Sequence, residues 1–215
     1  MKTFVKLPFW SLFLLMIACS GNTPVPKYVY ENNPDYTWGT AQFYGNYYSN
    51  YDIQHNVLTL NLLTENFGVD AENQLIGTGQ YLIIEDIFVH GADTLLPAGT
   101  YIVADTITDI APFTFLKGKE YKENSLNTGI PSGAYVYYFE NDVTKNTIKY
   151  ISEGNFTVAV QNDSVYTIQC NFKTNDGSEL KGTFEGVLYH SDESVRVKSG
   201  LPRKKSIRIQ AFGFK

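Results

Sequence analysis

An all-β fold is what the sequence predicts, either an antiparallel β-sandwich or a flattened, meander-rich β-barrel. Three observations predict it. Short runs that alternate apolar and polar residues recur from residue 36 onward, the period of strands with one wet face. Gly, Asn, Asp and Pro bound those runs, supplying the left-handed or self-bonded backbone that tight turns need. No convincing helical pattern longer than two turns interrupts them.

Taken in order, the first run is "WGTAQFYGNYYSNYD", residues 38–52, a hairpin about Gly45 and Asn46. Trp38, Thr40, Gln42 and Tyr44 share one face, and Gly39, Ala41 and Phe43 the other. The small residues beside Phe43 assign the second face to the core, so Trp38 and Tyr44 are expected outward, with Tyr47, Tyr48 and Tyr51 in the loop. "NVLTLNLL" puts Leu58, Leu60 and Leu62 on one side. "YLIIEDIFVH" is apolar on both sides at its start, as a strand covered on two faces would be. "GNFTVAV", "YTIQCNF" and "LKGTFEGVL" follow one another across the turns "QNDS" and "TNDGS", which makes them a meander. "SIRIQAFGF" supplies a last strand. Gly39, Gly45, Gly182, Gly186 and Gly213 interrupt these runs and mark bulges or bends, which curved sheets require. There is also an internal echo, in which Gly79 and Tyr81 match Gly133 and Tyr135 while Gly99 and Tyr101 match Gly154 and Phe156. It reads equally as two similar hairpins or as a duplication. The intervening polar stretches 104–132 and 141–152 are expected to be long loops, the usual place for a binding surface.

Residues 1–18 have the form of a cleaved secretory signal: Lys2 and Lys6, then an apolar run from Leu7 to Ala18. That run falls short of the ~20 residues a spanning helix needs. "MIAC" resembles the bacterial lipobox, which implies diacylglycerol transfer to the Cys19 thiol and a lipid anchor in the membrane. The stretch 19–35, with "SGNTPVPKY", then reads as a flexible tether, and 36–215 as one all-β domain. Removing Lys2 and Lys6 with the signal takes the formal charge from −5 to −7. A mildly acidic mature chain argues against a nucleic-acid partner. With Cys19 acylated, Cys170 is the only thiol left, so no intrachain disulfide forms. Its place on the apolar face of "YTIQCNF" makes it a small core residue.

The segments "QFYGNYYSNYD", "LPAGTYIV", "SGAYVYYFEND", "EGNFTVAV" and "YTIQCNFKTNDGSELKGTFEGVL" resemble secreted lipoproteins of the Bacteroidetes group. The resemblance implies an all-β domain of unassigned activity in the cell envelope. "DTL", "DTI" and "DSV" resemble that group's O-glycosylation tripeptide, implying modification at Thr94, Thr106 and Ser164. The acidic residues that often follow the acylated cysteine in surface-displayed members do not occur before Glu31. Surface display and the inner leaflet of the outer membrane both stay open.

Catalytic patterns are sparse. No G-x-S-x-G elbow occurs, and His55, His90 and His190 have no second histidine or cysteine at metal-ligand spacing. "GTGQYL" lacks the third glycine of a dinucleotide loop. No metal or cofactor is expected. Glu85 with Asp86 is a candidate acid/base pair, but neighbouring strand residues point to opposite faces unless a bulge intervenes. Glu140 with Asp142 and Asp192 with Glu193 read as solvated turns. The basic residues Arg196, Lys198, Arg203, Lys204, Lys205, Arg208 and Lys215 suit either an anionic surface or an edge strand guarded against pairing.

The leading expectation is a non-catalytic, membrane-anchored binding module with a glycan ligand. Aromatic rings stack on sugar faces while neighbouring amides and carboxylates bond the hydroxyls. Trp38, Tyr44, Tyr47, Tyr48 and Tyr51 are the candidate site. The alternatives are a lipocalin-like barrel enclosing a small apolar ligand and an accessory subunit of an envelope complex. Oligomeric state is not fixed by any of these features. The anchor is checked by metabolic palmitate labelling: Cys19→Ala is expected to lose the label entirely, and retained label would refute acylation at that cysteine.

Overall fold

The computed structural model describes residues 28–198 apart from 70, 72–74, 123–128, 141–145 and 163. The strands are β1 (Asp35–Gly45), β2 (Asn56–Thr64), β3 (Phe67–Val69), β4 (Leu75–Gly77), β5 (Gly79–Val89), β6 (Gly99–Ala104), β7 (Thr114–Leu116), β8 (Lys119–Lys122), β9 (Gly129–Ser132), β10 (Ala134–Phe139), β11 (Asn146–Asn162), β12 (Val165–Thr174), β13 (Glu179–Leu180) and β14 (Thr183–Asp192). A short helix, α1 (Ser194–Lys198), follows. The expected strand "SIRIQAFGF" and Gly213 lie outside the described residues.

The fold is all-β, and its strands close into a ring. β1 pairs with β2, β2 with β5, β5 with β10, β10 with β11, β11 with β12 and β12 with β14, all antiparallel. β14 then returns to pair with β1 in parallel, from Asp35↔Thr183 to Phe43↔Asp192. At the other end of the ring β10 gives way to a parallel pair, β6 and β7. β5 bonds β10 along Gly79–Ile84 but β7 at Ile87 and Phe88, and β11 bonds β10 up to Tyr150 but β6 along Asn155–Val158. The expected meander is present as β11, β12, β13 and β14 in sequence. The expected loop 104–132 is a correction: it contains β7, β8 and β9. Likewise residues 146–152 of the second expected loop belong to β11.

Alternation puts one side of every ring strand on the ring's axis. Leu58, Leu60 and Leu62 from β2, Leu82, Ile84 and Ile87 from β5, and Ile168, Cys170 and Phe172 from β12 form one core with aromatic rings at its centre. Tyr101 and Phe156, matched in the sequence echo, are cross-strand partners and stack face to face, 4.6 Å between centroids and 1° between planes. Phe115 and Phe172 close against Phe156 at 5.4 and 6.4 Å. The glycines of the echo serve close approach: a Cβ on Gly133, at φ +79, would run into the Lys117 carbonyl.

Outside the ring, two flanks differ. β2 and β5 are buried on both faces. One outer cluster holds Leu63, Tyr81, Ile83, Tyr135, Tyr137 and Phe139 with Leu75 and Phe67 of the β3–β4 hairpin. Another holds Tyr44, Val57 and Phe88 under Tyr47, Tyr48 and Ile53. β12 and β14 instead alternate between buried and solvent-facing residues, so that flank is open.

Residues 28–34, read from sequence as part of the tether, are a correction: they cross the end of the ring where β1 begins. Tyr28 N–H donates to the Glu140 carbonyl, Lys181 N–H to that of Asn32 and Thr183 N–H to that of Pro34. The Tyr138 hydroxyl donates to the Tyr28 carbonyl at 2.8 Å. Lys149 Nζ sits 4.0 Å from the Tyr30 ring centroid while bonding Asp176 at 2.9 Å. This strap is part of the folded unit.

Because Phe156 touches rings on three sides of the core, Phe156→Ala is expected to cost about 3–5 kcal/mol, the range of large-to-small aromatic deletions. Urea denaturation measures it, and a loss below about 1 kcal/mol would show that the core is not organised around that ring.

Candidate functional site

The structure divides the five expected aromatic residues among three places. Tyr44 does point out of the ring, but the outer cluster covers it, and its hydroxyl donates to Gln42 Oε1 at 3.1 Å. It is a packing residue. Tyr47 and Tyr48 form a roof over Val57 and Phe88, with Tyr44–Tyr47, Tyr47–Tyr48 and Tyr48–Tyr51 ring planes at 71°, 87° and 62°. Such edge-to-face contacts suit ring quadrupoles but do not form a flat platform. Tyr51, 69% exposed, stands at the rim of a cleft of about 480 Å³ with Asp52, Gln54, His55 and Thr108. Burial, then the proximity of His90, lowers the His55 pKa.

Trp38 lies apart from these rings, on the open flank. It is 38% exposed, and the neighbouring strand brings Val187 and Tyr189 to the same surface, Tyr189 at 59%. The parallel register sets Thr40 opposite Tyr189, so Trp38 and Tyr189 stand on adjacent strands two residues apart. Strand spacing and rise place their Cα atoms roughly 8 Å apart. Glu185 and Thr183 of β14 continue the exposed row, and Gln169 and Thr167 face them from β12. This flank thus presents two exposed rings with hydroxyl, amide and carboxylate groups beside them. The sequence reading missed Tyr189, whose only signal was an aromatic residue at an outward position of its strand.

The expectation that Glu85 and Asp86 face opposite ways is corrected by a bulge. Leu58 pairs with Ile87 and Leu60 with Ile84, so Thr59 alone opposes both acids. Ile84 and Ile87 both enter the core, which leaves Glu85 and Asp86 outside it. The Tyr135 hydroxyl donates to Glu85 Oε1 and the Tyr48 hydroxyl to Asp86 Oδ1, each at 2.9 Å. Asp86 is 4% exposed. In these contacts the two carboxylates fasten β10 and the tyrosine roof to β5.

Thr94, Thr106 and Ser164 are all solvent-exposed on turns or loops. The Thr106 hydroxyl lies 2.6 Å from that of Thr108, and Ser164 bonds Asn162 Oδ1. Cys19 lies outside the described residues. Among the described residues no three His, Cys, Asp or Glu side chains gather as a metal cluster. His190 rests 3.5 Å from the Tyr166 hydroxyl, with its pKa lowered chiefly by burial. No family model, curated protein or solved structure matches this chain.

Cys170 is buried in the core, and burial raises its thiol pKa far above the usual range. A thiol held protonated and covered does not attack. In the Cys19→Ala chain it is expected to ignore a disulfide reagent at pH 8 while folded and to react within minutes in urea. Rapid reaction of the native protein would overturn its assignment to the core.

Proposed function

We propose that this chain is a non-catalytic, outer-membrane-anchored lipoprotein that binds carbohydrate on the open flank of its barrel. The observation that carries the reading is the placing of Trp38 and Tyr189 on neighbouring strands, both exposed, with the exposed Val187 of β14 beside them and a border of polar side chains. A pyranose presents an apolar C–H face and a rim of hydroxyls. The rings offer surface to the first, and Gln169, Thr183 and Glu185 offer donors and acceptors to the second. Two rings on neighbouring strands with Cα atoms roughly 8 Å apart favour an extended chain over a single sugar, because one oligosaccharide would reach both. The anchor rests on the Cys19 motif, and an acidic surface is compatible with a neutral glycan.

The lipocalin-like alternative has less support, since the packed rings of Tyr101, Phe156, Phe115 and Phe172 occupy the barrel axis. A polysaccharide array probed with residues 20–215 tests the proposal. One or more hits are expected, and Trp38→Ala and Tyr189→Ala are each expected to weaken binding about tenfold, the equivalent of about 1.4 kcal/mol. Tyr51→Ala is expected to leave binding unchanged. No hit on any polysaccharide would count against the ligand class; a hit lost only in Tyr51→Ala would move the site to the cleft.

A further inference from the structure

At the strap end of the barrel, three polar atoms are buried without a hydrogen-bond partner: the hydroxyls of Tyr30 and Tyr36 and the Nε2 of Gln80. They come from three different segments, the strap, β1 and β5. Gln80 is wholly buried and Tyr36 is 2% exposed. Their neighbourhood is shared. Gln80 Oε1 accepts both the Tyr28 hydroxyl, at 3.3 Å, and the Glu31 N–H. The Tyr36 hydroxyl lies within electrostatic range of the Cys170 thiol and of the Tyr30 and Tyr28 hydroxyls, and burial is the first cause of its raised pKa. Burial likewise pushes Tyr30 up to about 12. The Gln80 amide has no freedom to turn over, because rotation would set its NH₂ against the Glu31 N–H. Its two donor hydrogens therefore point away from the strap bonds it already makes.

A buried donor or acceptor left unmade is costly, and such groups are almost always satisfied. The three atoms ask for a partner that accepts from the amide and both donates to and accepts from phenols. A hydroxyl oxygen does this. A charged ligand would be desolvated here without a counter-ion, since Lys149 is already engaged by Asp176. We propose that the mouth beneath the strap is a binding site for hydroxyl oxygens, held by Gln80, Tyr36 and Tyr30, and supplied by water or by a small polyol. Occupied in this way, the strap is seated on the barrel through a bridging molecule as well as through its direct bonds.

Tyr36→Phe and Tyr30→Phe each remove one of these hydroxyls and nothing else, so thermal melting of the full chain separates an occupied site from a dry one. If the site is occupied, each variant is expected to melt about 2–4 °C lower, and the double variant to lose less than the sum, because both hydroxyls share one guest. Equal stabilisation of wild type and Tyr36→Phe by glycerol assigns the oxygen to water; a larger gain in wild type assigns it to the polyol. If both single variants melt at or above the wild-type temperature, the atoms are dry and the proposal fails. It fails equally if a crystal structure at atomic resolution shows no non-protein oxygen within about 3.2 Å of the three atoms.

Discussion

The rest of the structure depends on the parallel pairing of β1 with β14. Each change of direction around a closed ring must be matched by another, so antiparallel contacts come in even number. An odd count of strands, as in β1, β2, β5, β10, β11, β12 and β14, then forces one parallel contact, and the chain places it between its first and last ring strands. That contact removes both free edges at once. It also turns the alternating apolar residues of every ring strand toward a common axis, so that Tyr101, Phe115, Phe156 and Phe172 meet. Without it, β1 and β14 would each expose a row of unpaired backbone groups, and the aromatic stack would open to water. At the far end of the ring the replacement of β10 by β6 and β7 adds one strand and one more parallel contact, which keeps the same parity.

How much of this was legible in the sequence depended on range. β2, β5, β12 and the hairpins of the meander were readable because period-two alternation and Asn-Asp-Gly turns are local signals. Ring closure was not, since the residues that pair β1 to β14 stand at opposite ends of the domain and carry no mark of each other. β7 was missed because three residues, Thr114 to Leu116, are too few to show a period. The strap was missed for a different reason: "KYVYENNP" has the composition of a tether, and only the tyrosines that dock it argue otherwise.

The candidate surfaces show the same division. Outward direction at Tyr44 was read correctly from alternation, but a second layer on that flank depends on the tyrosine loop folding back, and alternation is silent about second layers. Conversely Trp38 was readable as exposed, whereas its partner Tyr189 could be recognised only once the parallel register was known. At Glu85 and Asp86 the period itself breaks. No glycine marks that bulge; the apolar residues on either side, Ile84 and Ile87, both enter the core, and the extra residue is absorbed between them. The chain thus spends its tyrosines in two ways. On the covered flank their hydroxyls tie strands and loops to buried acids and amides, and on the open flank the rings themselves remain in contact with solvent.

The strap has a positional consequence as well. β1 starts beneath it and runs the length of the barrel, so the strap and the cleft at Tyr51 stand at opposite poles. In the lipoprotein we propose, residues 20–27 join Cys19 to Tyr28 over at most roughly 30 Å, so the strap pole is the one nearest that attachment along the chain, and the Trp38 and Tyr189 row lies on the side wall between the two poles.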